Sequence, residues 1–440
     1  MTSAPSGPPQ VIGIAADDLT GANDSLVQFA GAGWTSRLAL GGLDPQLAGS
    51  TLATVTDSRA LPHDAAATVT ADAVAQLLEA GADRLYVKID STMRGSITAQ
   101  IDGALRGWQQ HHGGAFAVVC PAYPAMGRTV DQGQLRVNGE PVESTAVGRD
   151  PVTPVSTSDL STLIPGSRSI RLGDGTATEH AHRLAEAAGT DGATVVVDAV
   201  TDADLDQLAA ALSELGPWAV PVGSAGLAAA LAARWGSDAG LTEQPGLTGS
   251  PAERVLVVVS SLHDVSRSQA VQLISAAADD DLLVLRPALA DVRTRASALA
   301  WAAAQELPVS QRTTLLLSPT DRGSTPNPLT GAEIADGLAA IAGVLLAEAI
   351  LPQTAATSRQ AALVLMGGDG ARAVLRETAA QSVVVAGALQ EGVPVGVVDG
   401  GTAHGLRVVT KAGGFGNPDS LTDIVHQLCT PSPLSPEALP

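Results

Sequence analysis

Lysine is nearly missing from this chain of 440 residues. Of its 25 basic residues only two, Lys88 and Lys411, are lysine, and 45 acidic residues bring the formal net charge to −20. Binding of nucleic acid or of an acidic membrane depends on clustered Lys and Arg, so we expect no nucleic-acid and no membrane partner. Because Arg and Lys differ in shape and hydration, such a chain is expected to keep Lys where a compact ammonium group is needed.

Aromatic residues, cysteines and long apolar runs are also scarce. Aromatic residues make up 2% of the chain against 45% hydrophobic residues, so the core is predicted to consist of Ala, Val, Leu and Ile. Cys120 and Cys429 are too few for a disulfide framework and have no metal-ligand spacing, which favours a reducing compartment. The chain shows no signal-peptide layout and no run of about 18 apolar residues. We therefore expect a soluble, cytoplasmic protein.

Short β-branched runs alternate along the chain with Ala- and Leu-rich segments. The runs are continuous and apolar, as in strands buried on both faces of a parallel sheet. The segments between them have helical spacing, with Asp or Thr near the start and Gly at the end. We therefore predict an α/β fold. The apolar runs cover residues 11–16, 85–89, 115–120, 194–199, 255–261, 282–287, 314–318, 362–367 and 407–411.

A stretch rich in Gly, Pro, Ser and Thr, residues 241–253, separates two halves of the chain. A chain of this length exceeds the size at which one hydrophobic core usually stops growing, so two domains are expected. We predict an N-terminal domain over residues 1–245 and a C-terminal domain over residues 246–430, each a mostly parallel sheet flanked by helices. Residues 431–440 are rich in Pro without periodicity and are predicted to be disordered.

Two acidic residues, Asp17 and Asp18, follow directly on the first predicted strand. Ligands of open α/β sheets bind beyond the carboxyl ends of the strands. Two adjacent carboxylates repel phosphate and instead accept hydrogen bonds from hydroxyl groups or bind a cation. The structural alternative is that one of the pair caps the following helix.

The first lysine ends another apolar run. Strand alternation places Lys88 and Asp90 on one face, and a buried ion pair between them is one interpretation. The other is a substrate site, in which Arg94 holds a small carboxylate through two hydrogen bonds. Ser91 or Thr92 is placed to cap the helix that follows.

A Pro-rich loop, residues 120–129, follows a third apolar run. Gly127 and Arg128 lie in this loop, where they could close one side of a polar pocket. Residues 135–142 then predict a hairpin with an Asn-Gly turn. Because Pro-rich loops with an Arg are common surface features, this segment alone indicates little.

Two Gly-rich turns stand at strand ends in the second half of the chain. Gly367, Gly368 and Asp369 lie between a strand and a helix, an arrangement that binds phosphate on backbone N–H groups, although the P-loop pattern is not present. Lys411 ends a strand that opens into Gly413 and Gly414, which offers an anion both an ammonium group and a close backbone. A turn without a ligand is the alternative interpretation of each.

These segments together resemble the four-carbon acid sugar kinase family in order and spacing, over nearly the whole chain. That family includes D-threonate, D-erythronate and 3-oxo-tetronate kinases. The segments that carry the resemblance are ADDLTGAND (16–24), KIDSTMRG (88–95), CPAYPAMGRTVDQGQLRVNGEPV (120–142), RDP (149–151), GSAGLA (223–228), GG (367–368) and KAGGFGNPD (411–419).

The resemblance implies an ATP-dependent kinase that phosphorylates a hydroxyl group of threonate, erythronate or 3-oxo-tetronate, a phosphotransferase with an alcohol acceptor. It implies ATP and Mg²⁺ as cofactors and a small-molecule sugar acid as partner, while the metal ligands stay unknown. The implied site residues fall into a catalytic set (Asp18, Asp90, Arg94), a sugar-acid set in the N-terminal domain (Asp17, Lys88, Gly127, Arg128) and a nucleotide set in the C-terminal domain (Ser260, Ser261, Gly367, Gly368, Asp369, Lys411, Gly413, Gly414).

Two segments of the nucleotide half depart from the family pattern. Members usually have Gly-Gly-Glu-Thr-Ser where residues 367–371 read Gly-Gly-Asp-Gly-Ala, and a Gly-Ser-Cys-Ser-Pro loop where residues 260–264 read Ser-Ser-Leu-His-Asp. Because backbone N–H groups still bind phosphates, we expect kinase activity to be retained. The alternative is a non-catalytic sensor of the same fold that binds an acid sugar and a nucleotide. The stereoisomer, the accepting hydroxyl and the oligomeric state, with a homo-oligomer among the alternatives, stay open.

Overall fold

The computed structural model describes residues 10–150, 152–242, 251–277, 281–308, 311–320, 329–350 and 361–430. The chain divides into two compact units, Met1–Gln244 and Pro245–Pro440. The predicted boundary after residue 245 lies one residue beyond this division. The predicted disordered tail, residues 431–440, and the middle of the predicted linker lie outside the described residues.

The first unit is built on an eight-stranded parallel sheet in the order β2-β3-β1-β4-β11-β5-β10-β9, and three further strands form a small antiparallel sheet, β6-β7-β8. The strands are β1 (Val11–Ala16), β2 (Thr35–Ala39), β3 (Ser50–Val55), β4 (Arg84–Lys88), β5 (Phe116–Cys120), β6 (Arg128–Asp131), β7 (Gln134–Val137), β8 (Glu140–Pro141), β9 (Arg168–Ile170), β10 (Val195–Val197) and β11 (Ala219–Gly223).

Helices cover the sheet of the first unit, as a parallel sheet requires, since its crossover connections run over its faces. They are α1 (Leu19–Gly31), α2 (His63–Glu79), α3 (Ile97–Trp108), α4 (Leu160–Leu163), α5 (Ala177–Ala188), α6 (Asp202–Leu215) and α7 (Ala225–Asp238). Short 3₁₀ turns lie at Pro124–Met126, Val142–Ser144, Ala146–Arg149 and Gly216–Trp218. The Thr201 hydroxyl caps α6 in a capping box with Asp204, which confirms the predicted Asp and Thr start signals.

The second unit has a seven-stranded sheet in the order β13-β14-β12-β15-β18-β17-β16. The first five strands are parallel, and β17 runs antiparallel to both β18 and β16. The strands are β12 (Arg254–Val259), β13 (Leu282–Leu285), β14 (Thr313–Leu317), β15 (Ala361–Met366), β16 (Ser382–Gln390), β17 (Val393–Asp399) and β18 (Arg407–Lys411). The helices are α8 (Asp264–Ala276), α9 (Arg295–Ala303), α10 (Gly331–Leu345, extended by a π turn at Leu346–Ile350), α11 (Gly368–Glu377) and α12 (Ser420–Cys429).

The α/β class and the mostly parallel sheets are confirmed. In the second unit, an aliphatic core of Val, Leu and Ile lies between sheet and helices, with Val255, Val257 and Val364 fully buried. The hairpin β16-β17 was not among the predicted strands. Its sequence contains Gly387, Gly392 and Gly396, and glycine within a strand pattern weakens the signal.

The helix expected directly after Ser91 or Thr92 begins later, at Ile97 with Ser96 at the N-cap position. The intervening loop turns sharply, with left-handed φ values of +64° at Met93 and +93° at Gly95. The predicted Asn-Gly hairpin is confirmed, since Asn138 and Gly139 both have positive φ and join β7 to β8. Among the described residues, every helix is too short or too polar to cross a membrane.

Candidate functional site

The two acidic residues after β1 take different positions. Asp18 is the N-cap of α1 and its Oδ1 accepts a hydrogen bond from the Gly21 N–H at 2.8 Å. The Asp17 side chain is fully buried, and its Oδ2 accepts from Arg59 Nε at 2.7 Å. Burial raises the pKa of Asp17, although the nearby Arg59 and Lys88 charges oppose that rise. Asp18 therefore caps α1, while Asp17 is held inside the fold.

Arg59, which follows β3, joins the acidic residues that follow β1 and β4. Besides its bond to Asp17, its guanidinium lies 3.1 Å from Asp18 Oδ2 and 3.7 Å from Asp90 Oδ2. Burial works against its charge, but the three carboxylates outweigh burial and raise the pKa of Arg59. Sequence reasoning missed this residue because β3, the strand before it, was not predicted. The signal that could have found it is the Asp-Ser-Arg segment at residues 57–59, placed where a strand ends.

Asp90 is the most heavily bonded carboxylate of this cluster. Its Oδ2 accepts from Arg94 Nη2 at 2.7 Å, and its Oδ1 accepts from Arg94 Nε at 3.2 Å and from the Thr92 N–H at 3.0 Å. The Thr92 hydroxyl also donates to Oδ1. Burial alone would raise the pKa of Asp90, but Arg59 and these donors hold it far below its usual range. These contacts thus favour the anionic form of Asp90.

Two further arginines stand beside Asp90. Arg94 Nη1 donates to Asp150 Oδ2 at 3.2 Å, so its guanidinium bridges two carboxylates. Arg128 is half-buried and donates to the Met126 carbonyl oxygen. Burial lowers the pKa of Arg128, with the Asp90 charge opposing and the Arg94 charge adding to that effect. The three arginines therefore lie within electrostatic range of one buried carboxylate.

The backbone conformation and close packing at Gly127, the neighbour of Arg128, require glycine. It has a left-handed φ of +73°, and a Cβ at this position would overlap the amide oxygen of Asn138 on the β7-β8 turn. Glycine is the residue that tolerates both conditions. Its conformation therefore fixes where the arginine-bearing loop meets the small sheet.

Lys88, the last residue of β4, is buried with 5% of its surface exposed. Its Nζ donates to the Ile89 carbonyl oxygen at 2.9 Å, and it lies so close to Gly21 that a Cβ on that residue would overlap Nζ. No ion pair joins it to Asp90 within 4.0 Å in the described part of the chain, so the ion-pair interpretation is wrong. The ammonium group lies instead under the first turn of α1.

A cavity of about 250 Å³ opens beside this cluster in the first unit. Its wall includes Arg59, Met93 and Ser96 on one side and Thr153 and Ser156 on the other. The lining mixes a guanidinium, hydroxyl groups and apolar side chains, which suits a small polar ligand. The cluster and cavity are the candidate sugar-acid site.

In the second unit, the turn between β15 and α11 is held against the loop after β12. Gly367 has a left-handed φ of +108°, and its N–H donates to the Lys411 carbonyl oxygen at 3.0 Å. Ser260 Oγ donates to the Met366 carbonyl oxygen at 3.0 Å. Gly368 and Asp369 are exposed on the first turn of α11, where free N–H groups and the positive end of the helix dipole attract an anion.

The unusual Gly370 is explained by Ser260. A Cβ at position 370 would overlap both Cβ and Oγ of Ser260. The family pattern given above has Gly at position 260 and Thr at position 370, whereas this chain has Ser260 and Gly370. The larger side chain is therefore at position 260 in this chain and at position 370 in the family pattern. One hydroxyl group therefore remains beside the turn despite both departures.

Lys411 ends β18 and is buried with 3% of its surface exposed. Its Nζ donates to the carbonyl oxygens of Ala412, at 3.1 Å, and of Phe415. Burial lowers the pKa of Lys411 to about 8. Two carbonyl dipoles stabilise the ammonium group less than a carboxylate does, so a bound anion would complete its environment.

The Gly turn after β18 packs against α8. Ser266 Oγ donates to the Gly413 carbonyl oxygen at 2.6 Å, and Ser261 Oγ fills the space that a Cβ on Gly413 would need. Gly414 lies beside the imidazole ring of His263, which sequence reasoning did not assign to the site. The structure therefore brings Ser260, Ser261, Gly367, Lys411, Gly413 and Gly414 together at one edge of the sheet. Clusters of three or more metal-binding side chains are not found among the described residues.

Comparison with known proteins defines the class of protein to which this chain belongs. Residues 12–231 match the family model described as the sugar-binding N-terminal domain, and residues 256–421 match the nucleotide-binding C-terminal domain. This pairing, with an arginine-rich acidic cluster in one unit and Gly turns around a lysine in the other, is that of a carbohydrate kinase, a phosphotransferase with an alcohol acceptor.

Curated relatives narrow the class. The chain is 42% identical to a D-threonate kinase of Bordetella bronchiseptica, over 93% of this chain and 95% of that protein. It is 30% identical to a D-threonate kinase of Salmonella typhimurium over 94% and 97%, and 29% identical to a D-erythronate kinase of Heliobacterium modesticaldum over 95% and 97%. The chain belongs to the four-carbon acid sugar kinase family.

Solved structures agree on the fold. A crystallised protein of Haemophilus influenzae is 19% identical with a TM-score of 0.68, covering 94% of this chain and 100% of that one. A protein of Salmonella typhimurium LT2 is also 19% identical, with a TM-score of 0.70 over 94% and 98%. At this identity the likeness concerns the fold alone.

Proposed function

We propose that the protein transfers the γ-phosphoryl group of ATP to a hydroxyl group of D-threonate in the cytoplasm. Three relatives that are 30% to 42% identical over nearly the whole chain are named D-threonate kinases. A relative named for D-erythronate and one named for 3-oxo-tetronate are 29% and 26% identical over nearly the whole chain. Both cysteines are free thiols, in keeping with a reducing compartment.

The observation that carries the proposal is the grouping of Arg59, Arg94 and Arg128 around Asp90. Arg59 and Arg94 are paired with carboxylates, whereas Arg128 donates to a carbonyl oxygen, so the Arg128 guanidinium has positive charge to offer an anionic ligand. A guanidinium holds a carboxylate through two parallel hydrogen bonds. In this proposal Arg94 and Arg128 bind the carboxylate of the sugar acid. Asp90 keeps the Arg94 guanidinium in place, and the Met126 carbonyl oxygen accepts from Arg128.

Asp18 is the better candidate to orient and deprotonate the attacking hydroxyl group. A general base must take up a proton near the working pH, whereas the low pKa of Asp90 makes that carboxylate a poor base. The Asp18 side chain is 31% exposed and keeps one oxygen beside Arg59. Lys88 and Asp17 support the site from its buried side. The ammonium charge of Lys88 favours the anionic form of Asp17.

The nucleotide phosphates bind at the second unit in this proposal. Backbone N–H groups of Gly368 and Gly413, with the start of α11, cradle the phosphates, and Lys411 neutralises them. The Gly367 N–H is bonded to the Lys411 carbonyl oxygen and holds the turn in place. Mg²⁺ fits a site with few carboxylates, because this ion keeps waters and binds mainly to substrate phosphates. Asp369 would hold it beside the phosphates, where the ion supplies charge neutralisation during phosphoryl transfer.

An ADP-release assay with D-threonate, D-erythronate and L-threonate tests this function. We expect the highest kcat/KM with D-threonate. The Asp18→Asn variant keeps a side-chain acceptor for the helix N-terminus but loses the ion pair with Arg59. Its melting temperature should fall only slightly, because Arg59 keeps Asp17 and Asp90 as partners, while kcat falls about 10²- to 10⁴-fold. Stabilisation by a tetronate without ADP release would support the sensor alternative, and a preference for D-erythronate would overturn the substrate assignment.

A further inference from the structure

His263 occupies the N-cap position of α8, where the family pattern has a small serine. Its Nδ1 accepts a hydrogen bond from the Val265 N–H at 3.2 Å. A ring nitrogen that accepts a hydrogen bond carries no proton, so in the neutral ring the proton is on Nε2. The cap thus leaves His263 with one N–H donor at the far tip of its ring.

The imidazole ring lies with its face against the Gly turn after β18. A Cβ built on Gly414 would lie 3.2 Å from Nε2, 3.3 Å from Cδ2 and 3.5 Å from Cε1. No acceptor in the described part of the chain lies within hydrogen-bond distance of Nε2, and the residue is exposed. A donor without a protein partner therefore stands beside the turn.

The surroundings of this donor favour an anion. The His263 N–H donates to Ser261 Oγ at 3.2 Å, and this serine packs against Gly413. The buried Lys411 ammonium group lies on the same turn, which the Gln269 side chain also holds by donating to two of its carbonyl oxygens. Asp264, the nearest acidic residue in sequence, is fully exposed and 4.0 Å from Arg267.

We propose that His263 is a nucleotide-binding residue of this chain, with Nε2–H donating to a phosphate oxygen. This inference rests on the proposed nucleotide site and adds a donor that the sequence analysis did not assign. The longer imidazole reaches from the helix cap to the Gly turn, where a serine hydroxyl would stay at the cap. Nucleotide affinity therefore depends on the His263 side chain, which the family pattern does not contain.

His263→Asn separates the two roles of the ring. Asparagine is a good N-cap residue and keeps an acceptor for the Val265 N–H, but it is too short to reach Gly414. A hydrogen bond to a charged group is strong, so we expect the Kd for ADP and the KM for ATP to rise about ten-fold. The KM for the sugar acid and the melting temperature should stay unchanged, and adenosine should bind both proteins equally.

His404→Asn is the matched control. His404 is also exposed and also accepts a backbone N–H on Nδ1, from Gly400 at 3.1 Å, in the loop before β18. This loop lies at the opposite end of the strand from Lys411, so the variant should bind ADP like the wild type. Equal ADP affinity of His263→Asn and wild type would overturn the role of His263. Failure of the wild type to bind ADP would instead overturn the proposed nucleotide site.

Discussion

The two lysines of this protein occupy equivalent positions in different surroundings. Lys88 and Lys411 each end a parallel strand, each is almost fully buried, and each donates to the carbonyl oxygen of the next residue. Lys88 lies near the buried Asp17 carboxylate, whose pKa its charge lowers. Lys411 has carbonyl partners, and burial lowers its own pKa to about 8.

In the proposed function, this difference corresponds to two ways of binding an anion. In the first unit, charges of both signs are paired before any ligand binds, so the arginines are held in place by carboxylates. In the second unit, backbone dipoles, Gly turns and one incompletely compensated ammonium group leave a net attraction for phosphate. The first arrangement favours geometric selection of a small acid, and the second favours tight binding of a highly charged group.

The largest effect is expected from Asp90→Ala, which breaks the paired arrangement. Removing one partner of a buried ion pair leaves the other charge uncompensated and costs about 3–5 kcal/mol of unfolding free energy. Arg59 and Arg94 would both lose a carboxylate partner. Urea unfolding followed by circular dichroism measures the loss.

Asp72→Ala is the control for this measurement. Asp72 is exposed on α2, and such a surface change should alter the unfolding free energy by less than about 0.5 kcal/mol. Equal stabilities of Asp90→Ala and Asp72→Ala would show that the arginines do not depend on Asp90.

Substituting each lysine by methionine tests the comparison directly. Lys411→Met removes a buried charge that has no carboxylate partner, so stability should be unchanged or higher, while kcat/KM for ATP should fall about 10²- to 10³-fold. Lys88→Met leaves Asp17 without a nearby ammonium group and should lower the unfolding free energy by about 1–3 kcal/mol. Thermal melts and steady-state kinetics measure both. An unchanged kcat/KM for ATP in Lys411→Met would remove this lysine from the nucleotide site.

The sequence predicted the class of the fold and most of the parallel strands, because runs such as residues 11–16 and 255–261 are apolar throughout. It did not predict the antiparallel hairpin β16-β17, whose glycines interrupt the strand pattern. Among site residues, those inside recognisable motifs were found, including Asp18, Asp90 and Lys411. Their roles at the two sites stay predictions until they are tested.

Arg59 and His263 show why the remainder of the site was not predicted. Arg59 lies 42 and 31 residues away from the carboxylates of Asp17 and Asp90 that it joins, and only the strand order brings them together. His263 was noted only as a departure from the family pattern, because a motif records which residue type is present and not which atom reaches the neighbouring turn. Pairwise geometry of this kind is a property of the folded chain.

The smallest expected effect is a pH dependence that belongs to Lys411 alone. Its pKa is about 8 in the folded protein against 10.5 for the ordinary side chain. Between these values the unfolded chain binds more protons, so this residue makes the free energy of unfolding rise with pH. The affinity for an anion changes with pH in the opposite direction and falls as pH rises. The reason is that the ammonium form, which attracts phosphate, is lost as pH rises through about 8.

The Kd for ADP should therefore increase roughly ten-fold between about pH 7.5 and 9, a range in which the phosphate groups, with a second pKa near 6, are already ionised. In Lys411→Arg the guanidinium stays protonated across this range, so its affinity for ADP should be almost independent of pH, even if it is weaker at pH 7.5. Titration calorimetry of both proteins at each pH measures the two slopes. The same dependence of Kd on pH in both proteins would assign that dependence to another group. A Kd of the wild type that does not change with pH would mean that the carbonyl groups bonded to Lys411 hold its proton as firmly as a carboxylate would.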